Sequence, residues 1–171
     1  MINFEEFTIW LLKYYLPAMV ANALPVLVNG NILIDRGKLF VDGKPVFGRN
    51  KTLEGLIVGT TGAYVAGSSL GLLFMDSFLP LISIGAGLFA LLGDLAGAFV
   101  KRRLGLKPGD PAPLLDQLDF ALATTLFYYI LGVPEFLANQ SYIPLALLVI
   151  IVLHISTNIA AHALGLKKSK L

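Results

Sequence analysis

Long apolar stretches separated by short polar ones make up most of this 171-residue chain. An α-helix needs about 20 predominantly apolar residues to cross the hydrocarbon core of a bilayer. Stretches of that length occur near residues 7–29, 53–75, 79–100, 117–136 and 142–165. The pattern predicts an all-α integral membrane protein with about five transmembrane helices.

The composition supports this interpretation and limits the chemistry. Hydrophobic residues make up 56% of the chain and charged residues only 14%, whereas roughly 25% of a soluble domain is charged. Because the chain has no cysteine, a disulfide framework, cysteine-ligated zinc and thiol catalysis are excluded. The length leaves room for a single membrane-embedded domain over residues 1–171 and for no separate soluble domain.

The basic residues predict the orientation in the membrane. Of 13 Lys and Arg residues, twelve fall on one side of a five-span topology. They lie in the loop 30–52 (Arg36, Lys38, Lys44, Arg49 and Lys51), in the loop 101–116 (Lys101, Arg102, Arg103 and Lys107) and in the tail (Lys167, Lys168 and Lys170). The positive-inside rule places these segments in the cytoplasm and the N-terminus outside. We therefore expect a polar cavity that faces the cytoplasm, where nucleoside triphosphates are available.

Acidic residues mark a candidate metal site within the segment GDLAGAFVKRRLGLKPGDPAPLLDQLDF, residues 93–120. Asp94 interrupts an apolar run, and Asp116 and Asp119 share the first turn of the fourth predicted span. If the third and fourth spans pack side by side, the three carboxylates converge and suit Mg²⁺, which takes carboxylate and phosphate oxygens. Alternatively, Asp116 and Asp119 only cap a helix N-terminus, but an aspartate buried in a span favours the metal site.

Basic residues beside these acids suggest phosphate binding. Lys101, Arg102 and Arg103 end the third span, a position that the topology rule alone would explain. The loop that follows contains Asp110 among several Pro and Gly residues, so it can fold these side chains back over a triphosphate. Carboxylates beside cations indicate phosphoryl or nucleotidyl transfer at a membrane surface.

Two further groups of polar residues are candidates for the same site. Asn50, Lys51 and Thr52 precede the second span, where backbone N–H groups and the lysine can contact phosphate. His154, Asn158 and His162 are spaced four apart and form a polar stripe on the fifth span. The stripe provides at most a partial zinc site. It either bonds to other spans or lines a polar cavity.

The segment 93–120 closely resembles the signature region of the CDP-archaeol synthases, archaeal membrane enzymes that join CTP to an unsaturated archaetidic acid. More distantly, it is similar to the phosphatidate cytidylyltransferases. The segment from Asn50 to Gly55 and the His-x-x-x-Asn stripe look like further family features. Ala98 stands where a Ser is usual, and Gln117 stands where the wider pattern has Arg.

The resemblance implies a CTP-dependent cytidylyltransferase of the cell membrane with Mg²⁺ as cofactor. It would transfer the CMP moiety of CTP to 2,3-bis-O-(geranylgeranyl)-sn-glycerol 1-phosphate, an isoprenoid ether lipid phosphate, and release pyrophosphate. Asp94, Lys101, Asp116 and Asp119 would be catalytic, and the three aspartates would hold the metal. Substrate contacts would come from Asn50, Lys51, Thr52, Arg102, Arg103, Asp110, His154 and Asn158.

Two other classes of protein compete with this hypothesis. One is a small cation or proton transporter, in which Asp94 and the histidine stripe would line a path. The other is a CDP-alcohol phosphotransferase, although the spacing of Asp94, Asp116 and Asp119 does not fit that family. No nucleic acid is expected among the partners.

The predicted topology can be tested with single cysteines, because the chain contains none. Cysteines introduced at Lys38 and Lys107 should be labelled by an impermeant reagent from the same, cytoplasmic side. Labelling of the two positions from opposite faces would show that the five-span count is wrong.

Overall fold

The computed structural model describes residues 3–163, with the exception of the Ala161 side chain. The three lysines of the tail and the last residues of the fifth predicted span lie outside the described residues. Within the described part, the chain forms six α-helices and no extended strand. They are α1 (Phe4–Ala23), α2 (Leu53–Phe74), α3 (Leu79–Arg103), α4 (Leu115–Leu131), α5 (Pro134–Ala138) and α6 (Ile143–Ala163).

Prolines and glycines set the helix ends where these differ from the predicted spans. After α1 the chain continues only as a short 3₁₀ turn, Leu24–Leu27, with Pro25 in its first positions. The stretch 117–136 contains the end of one helix and the start of another. Gly132, with φ of 69°, ends α4 in the left-handed conformation, and Pro134 begins α5.

Among the residues that the structure describes, three helical segments are long and apolar enough to cross a membrane: Leu53–Phe74, Leu79–Arg103 and Gln140–Ala160. Two other helices correspond to predicted spans. They are α1, which carries Glu5, Glu6 and Lys13, and α4, which has 17 residues. The structure therefore agrees with an all-helical membrane protein.

Helix α3 occupies the centre of the bundle and packs against α1, α2 and α4, while α6 packs on α4. Aromatic side chains fill the space between α1, α4 and α5. Trp10 stacks on Phe136 at 5.1 Å between ring centroids, and Phe136 also stacks on Tyr128 at 4.8 Å. These contacts hold the short helix α5 against the end of the bundle.

A cluster of one lysine and two acidic residues joins three elements at the end of the bundle where α5 lies. The Lys13 ammonium lies 2.5 Å from Glu135 Oε2 and 3.2 Å from Asp76 Oδ2. Because its side chain is only 9% exposed, each carboxylate helps to offset the loss of hydration at the buried charge. The cluster ties α1 to the α2–α3 turn and to α5.

The loop between α1 and α2 folds over the opposite end of the bundle. It forms only isolated antiparallel bridges, Leu33 with Thr52 and Leu39 with Pro45, in the region where the sequence suggests a small hairpin. Asp35 organises it by accepting hydrogen bonds from the N–H groups of Gly37, Phe47 and Gly48. Burial alone would raise the pKa of this carboxyl, but the three N–H groups outweigh burial and lower it.

Glycines allow α3 and α4 to approach closely. A Cβ atom on Gly93 would overlap the Asp119 carbonyl oxygen and lie 2.7 Å from the Ala123 Cβ. A Cβ on Gly97 would overlap the Asp119 carboxylate. The two glycines therefore set the distance between the helices that carry the predicted acidic residues.

Replacement of Gly93 by Ala should lower the stability of the protein by about 1–3 kcal/mol, because the added methyl group meets backbone that cannot rotate away. Thermal unfolding in detergent would measure the loss. Ala96→Val adds bulk on an exposed face of the same helix and serves as the control. Equal stability of Gly93→Ala and wild type would contradict the close α3–α4 contact.

Candidate functional site

A polar cavity of about 700 Å³ lies at the end of the bundle where α2 begins and α3 ends. Its volume falls in the range of about 300–1,000 Å³ that is usual for ligand pockets. Ten of the predicted site residues line it: Asn50, Lys51, Thr52, Asp94, Lys101, Arg102, Asp110, Asp116, His154 and Asn158. Arg103 and Asp119 are not among the lining residues.

The first ion pair of the cavity joins Lys51 to Asp94. Lys51 stands just before Thr52, whose hydroxyl accepts the Gly55 N–H and caps α2. Asp94 projects from α3, and both side chains are about three-quarters buried. The position of Lys51 just before α2 thus places its ammonium group beside Asp94, the aspartate that interrupts the apolar run of α3.

The second ion pair joins the end of α3 to the start of α4. Lys101 Nζ lies 2.8 Å from Asp116 Oδ1 and 3.4 Å from the carbonyl oxygen of Asp110. The other oxygen of Asp116 accepts the Ala112 N–H at 2.9 Å. Asp116 therefore holds the loop before its helix and also faces the cavity.

Asp119 lies behind the cavity wall. Its carboxylate packs on Gly97 and lies within electrostatic range of Asp94 and Asp116. The three acids thus come from adjacent helices and influence one another. Within residues 3–163, however, no group of three His, Cys, Asp or Glu side chains is close enough to hold a metal ion.

Arg102 presents an unsatisfied donor to the cavity. The residue is 4% exposed, and its Nε donates to the Ala98 carbonyl oxygen at 3.5 Å. One terminal nitrogen, Nη1, is buried and has no hydrogen-bond partner in the described part of the chain. A buried guanidinium donor without a partner is costly, and an anionic ligand in the cavity would satisfy it.

Arg103 points to the loop over the bundle instead. Its guanidinium lies 4.8 Å from the Phe40 ring centroid and 4.5 Å from that of Phe99. Its Nε is 3.0 Å from Asp42 Oδ2, and a terminal nitrogen donates to the Pro45 carbonyl oxygen at 2.6 Å. These contacts attach the loop to the end of α3.

Helix α6 supplies a further part of the polar wall. The His154 ring stacks on Phe120 with 6.1 Å between centroids and 28° between planes. His154, Thr157 and Asn158 all line the cavity, whereas His162 does not. The first two members of the stripe therefore lie in the cavity wall, as one of the two interpretations expects.

One residue of the site has a role that the sequence analysis did not assign. Gln117 is 4% exposed, and its Oε1 accepts the N–H of Leu114, the residue before α4. Leu114 has φ of 66°, which is unusual for a residue other than glycine. Gln117 thereby stabilises the turn that aims Asp116, and a glutamine three residues after a helix cap was the available signal.

The donor chemistry of the site suits a divalent cation. Asp94 and Asp116 offer carboxylate oxygens to the cavity, and Mg²⁺ commonly binds one or two carboxylates together with substrate phosphates. In the ion-paired arrangement the ammonium groups of Lys51 and Lys101 neutralise these two carboxylates. A metal at this position would take over that neutralisation.

Comparison with known proteins yields one consistent family. A family model described as CarS-like, CDP-archaeol synthase, matches residues 1–170. The CDP-archaeol synthase of Staphylothermus marinus is 48% identical over 96% of this chain and 93% of its own length. That of Aeropyrum pernix is 42% identical over 90% of this chain and 86% of its own.

A solved structure has a similar fold. It is described as an intramembrane enzyme for archaeal membrane lipids biosynthesis, and it superposes with a TM-score of 0.79 at 40% identity. The match covers 86% of this chain and 92% of the other.

Proposed function

The chain belongs to the CDP-archaeol synthase family, and we propose that the cavity bounded by Lys51, Asp94, Lys101 and Asp116 is where it joins CTP to a lipid phosphate. The protein is a CTP-dependent cytidylyltransferase. It transfers CMP to 2,3-bis-O-(geranylgeranyl)-sn-glycerol 1-phosphate and releases pyrophosphate. The family relationship sets aside both the transporter and the phosphotransferase alternatives.

One observation carries the assignment of the site: a polar cavity beside apolar helices contains two acid–lysine pairs and an unsatisfied arginine donor. Both substrates are phosphate anions, so the reaction brings negative charges together. The cations of the cavity reduce that repulsion. The lipid phosphate is already ionised, so its attack on the α-phosphorus needs no general base.

Each cation has a distinct position from which to act. Arg102 is buried and its free donor is available for a phosphate oxygen of CTP. Lys51 and Lys101 can exchange their carboxylate partners for phosphate oxygens when substrate enters, since ammonium groups bind either anion. That exchange would release Asp94 and Asp116 for a metal.

We assign Mg²⁺ binding to Asp94 and Asp116, with Asp119 beside them. A Mg²⁺ ion at these residues would supply charge neutralisation to the triphosphate. Asp119 contributes negative charge from behind the wall, and Gly97 leaves the room for its carboxylate. The close packing of α3 against α4 holds these acids near one another.

The proposed orientation places the cavity at the cytoplasmic face, with five helices crossing the membrane. In support, both loops rich in Lys and Arg meet at the cavity end, where Lys44 Nζ donates to the Arg103 carbonyl oxygen at 3.0 Å. The opposite turns carry the acids Asp76 and Glu135, which pair with Lys13. CTP is made in the cytoplasm, so this orientation gives the site its nucleotide.

Asp116→Asn and Asp119→Asn should each abolish turnover while leaving a folded, extractable protein, because each change removes a carboxylate charge and almost no volume. Formation of CDP-lipid from labelled CTP, Mg²⁺ and the lipid phosphate measures the effect. Asp76→Asn, at the far end of the bundle, is the matched control and should retain activity. Near-native activity in both test variants would rule out the metal assignment.

Arg102→Ala should mainly weaken CTP binding, whereas Arg103→Ala should mainly loosen the loop over the bundle. Loss of one charge-assisted contact costs about 1.5–3 kcal/mol, so Arg102→Ala should raise the KM for CTP roughly ten- to hundredfold. Arg103→Ala should instead speed hydrogen exchange in the loop residues 38–47, which it anchors, with a smaller change in the KM for CTP. Both are assayed at saturating lipid with CTP varied.

Equal effects of the two arginine variants on CTP use would contradict the separation of roles. A loss confined to the apparent affinity for lipid in Arg102→Ala would move this residue to the lipid phosphate. The nucleotide would then be assigned to Asn50 and Lys51.

A further inference from the structure

The loop between α1 and α2 contains an apolar turn that the bundle leaves uncovered. The Phe40 N–H closes this turn by donating to the Lys44 carbonyl oxygen at 2.8 Å. Val41 is 93% exposed and Leu39 is 63% exposed. We call residues 39–41 the loop tip. Exposed apolar side chains that occur together mark surfaces that bind proteins or membranes.

The loop tip lies beside the last turn of α3. The Phe40 ring packs edge-on against the Phe99 ring, with 5.1 Å between the centroids. Phe99 is one helical turn before Arg103, the last residue of α3, which is about 6 Å along a helix axis. Since α3 is long and apolar enough to cross a membrane, the tip reaches the level at which this helix leaves the hydrocarbon and meets the lipid head groups.

The outer side of this region is apolar. Because successive side chains of an extended segment point to opposite faces, Leu39 points away from α3 when Phe40 packs against it. Val100 and Leu104, at the end of α3, are 43% and 70% exposed. The tip and the adjacent end of α3 therefore both present apolar side chains outward.

Basic side chains flank the loop tip. Arg36 and Lys38 precede it and are exposed. The segment 36–46 contains three cations and one acid, Asp42, and this acid is paired with Arg103. An excess of cations beside apolar side chains complements an anionic bilayer surface, which attracts Lys and Arg to its head groups.

We propose that the loop tip inserts into the head-group region of the anionic bilayer that α3 crosses. Leu39 and Val41 contact the lipid there. Arg36 and Lys38 bind the phosphates of its head groups. The level of the tip favours lipid over a second protein, because lipid is the medium around the end of a membrane-crossing helix.

This contact would hold the loop from its outer side, as Arg103 holds it from the bundle. The same loop continues to Asn50 and Lys51 in the cavity wall, so the bilayer and the cavity are connected through one segment of chain. The proposal concerns where the loop lies and does not depend on the reaction assigned to the cavity.

Fluorescence quenching in vesicles tests the contact. Val41→Cys and, independently, Leu39→Cys are labelled with an environment-sensitive fluorophore, and the full-length protein is reconstituted into vesicles of phosphatidylcholine and phosphatidylglycerol. A lipid with a nitroxide at head-group depth should quench both labels severalfold more than a label on Lys107→Cys. Lys107 is the matched control because it is exposed on the other basic loop at the same end of the bundle.

Aqueous iodide should quench the three labels in the reverse order. Equal quenching of the tip and Lys107 labels by the nitroxide lipid would overturn the proposal. Protection of the tip that increases with the number of protein molecules per vesicle, without quenching by the nitroxide lipid, would assign the tip to a second copy of the chain and would also overturn it.

The charge of the lipid gives a second test. Vesicles of phosphatidylcholine alone should reduce the nitroxide quenching of the Val41→Cys label. Adding Arg36→Gln and Lys38→Gln to this protein should remove the difference between the two vesicle types, because the changes remove the cations that face the head groups. Lys107→Gln is the control and should leave the difference in place. Equal quenching in neutral and anionic vesicles before these changes would overturn the assignment to anionic lipid.

Discussion

Neutralisation of charge beside the bilayer is the constraint on which the rest of the structure depends. Ionised groups next to hydrocarbon lose hydration and persist only with partners. The cavity meets this requirement with the pairs Lys51–Asp94 and Lys101–Asp116, which connect the start of α2, the whole of α3 and the start of α4. In the proposed site, the ion pairs that offset the burial of the acids also place cations where the two anionic substrates would meet. Stability and the proposed function therefore depend on the same contacts.

The close packing of α3 and α4 brings these separate acids within electrostatic range of one another. Gly93 and Gly97 let the helices approach until Asp119 lies against α3. With larger residues at these positions, the acids of α4 would be farther from Asp94 and their mutual electrostatic influence would fall. The glycines of the third span therefore matter for electrostatics as much as for packing.

Periodicity and composition predicted the helices, because an apolar stretch of about 20 residues has few alternatives in a membrane. The positions of charged and polar residues, together with the family resemblance, named ten of the residues that line the cavity. The sequence did not predict which charged residues pair with each other. It suggested phosphate contacts for both Lys51 and Arg103. In the structure Lys51 pairs with Asp94, whereas Arg103 lies between two aromatic rings and anchors a loop. Such choices depend on which loop folds over which helix end, and local sequence does not encode that arrangement.

The placement of Arg102 and Arg103 shows how adjacent residues acquire different functions. Successive residues on a helix point about 100° apart, so one guanidinium faces the interior while its neighbour faces the covering loop. The inner one keeps a donor unsatisfied, which is a cost in the ligand-free protein and a gain when an anion arrives. The outer one lies against Phe40 and Phe99 and contacts Asp42 and the Pro45 carbonyl oxygen, so it holds the loop that folds over this end of the bundle. A nucleotide site at a membrane face needs both, since binding energy is useful only where the surrounding loop keeps the cavity in shape.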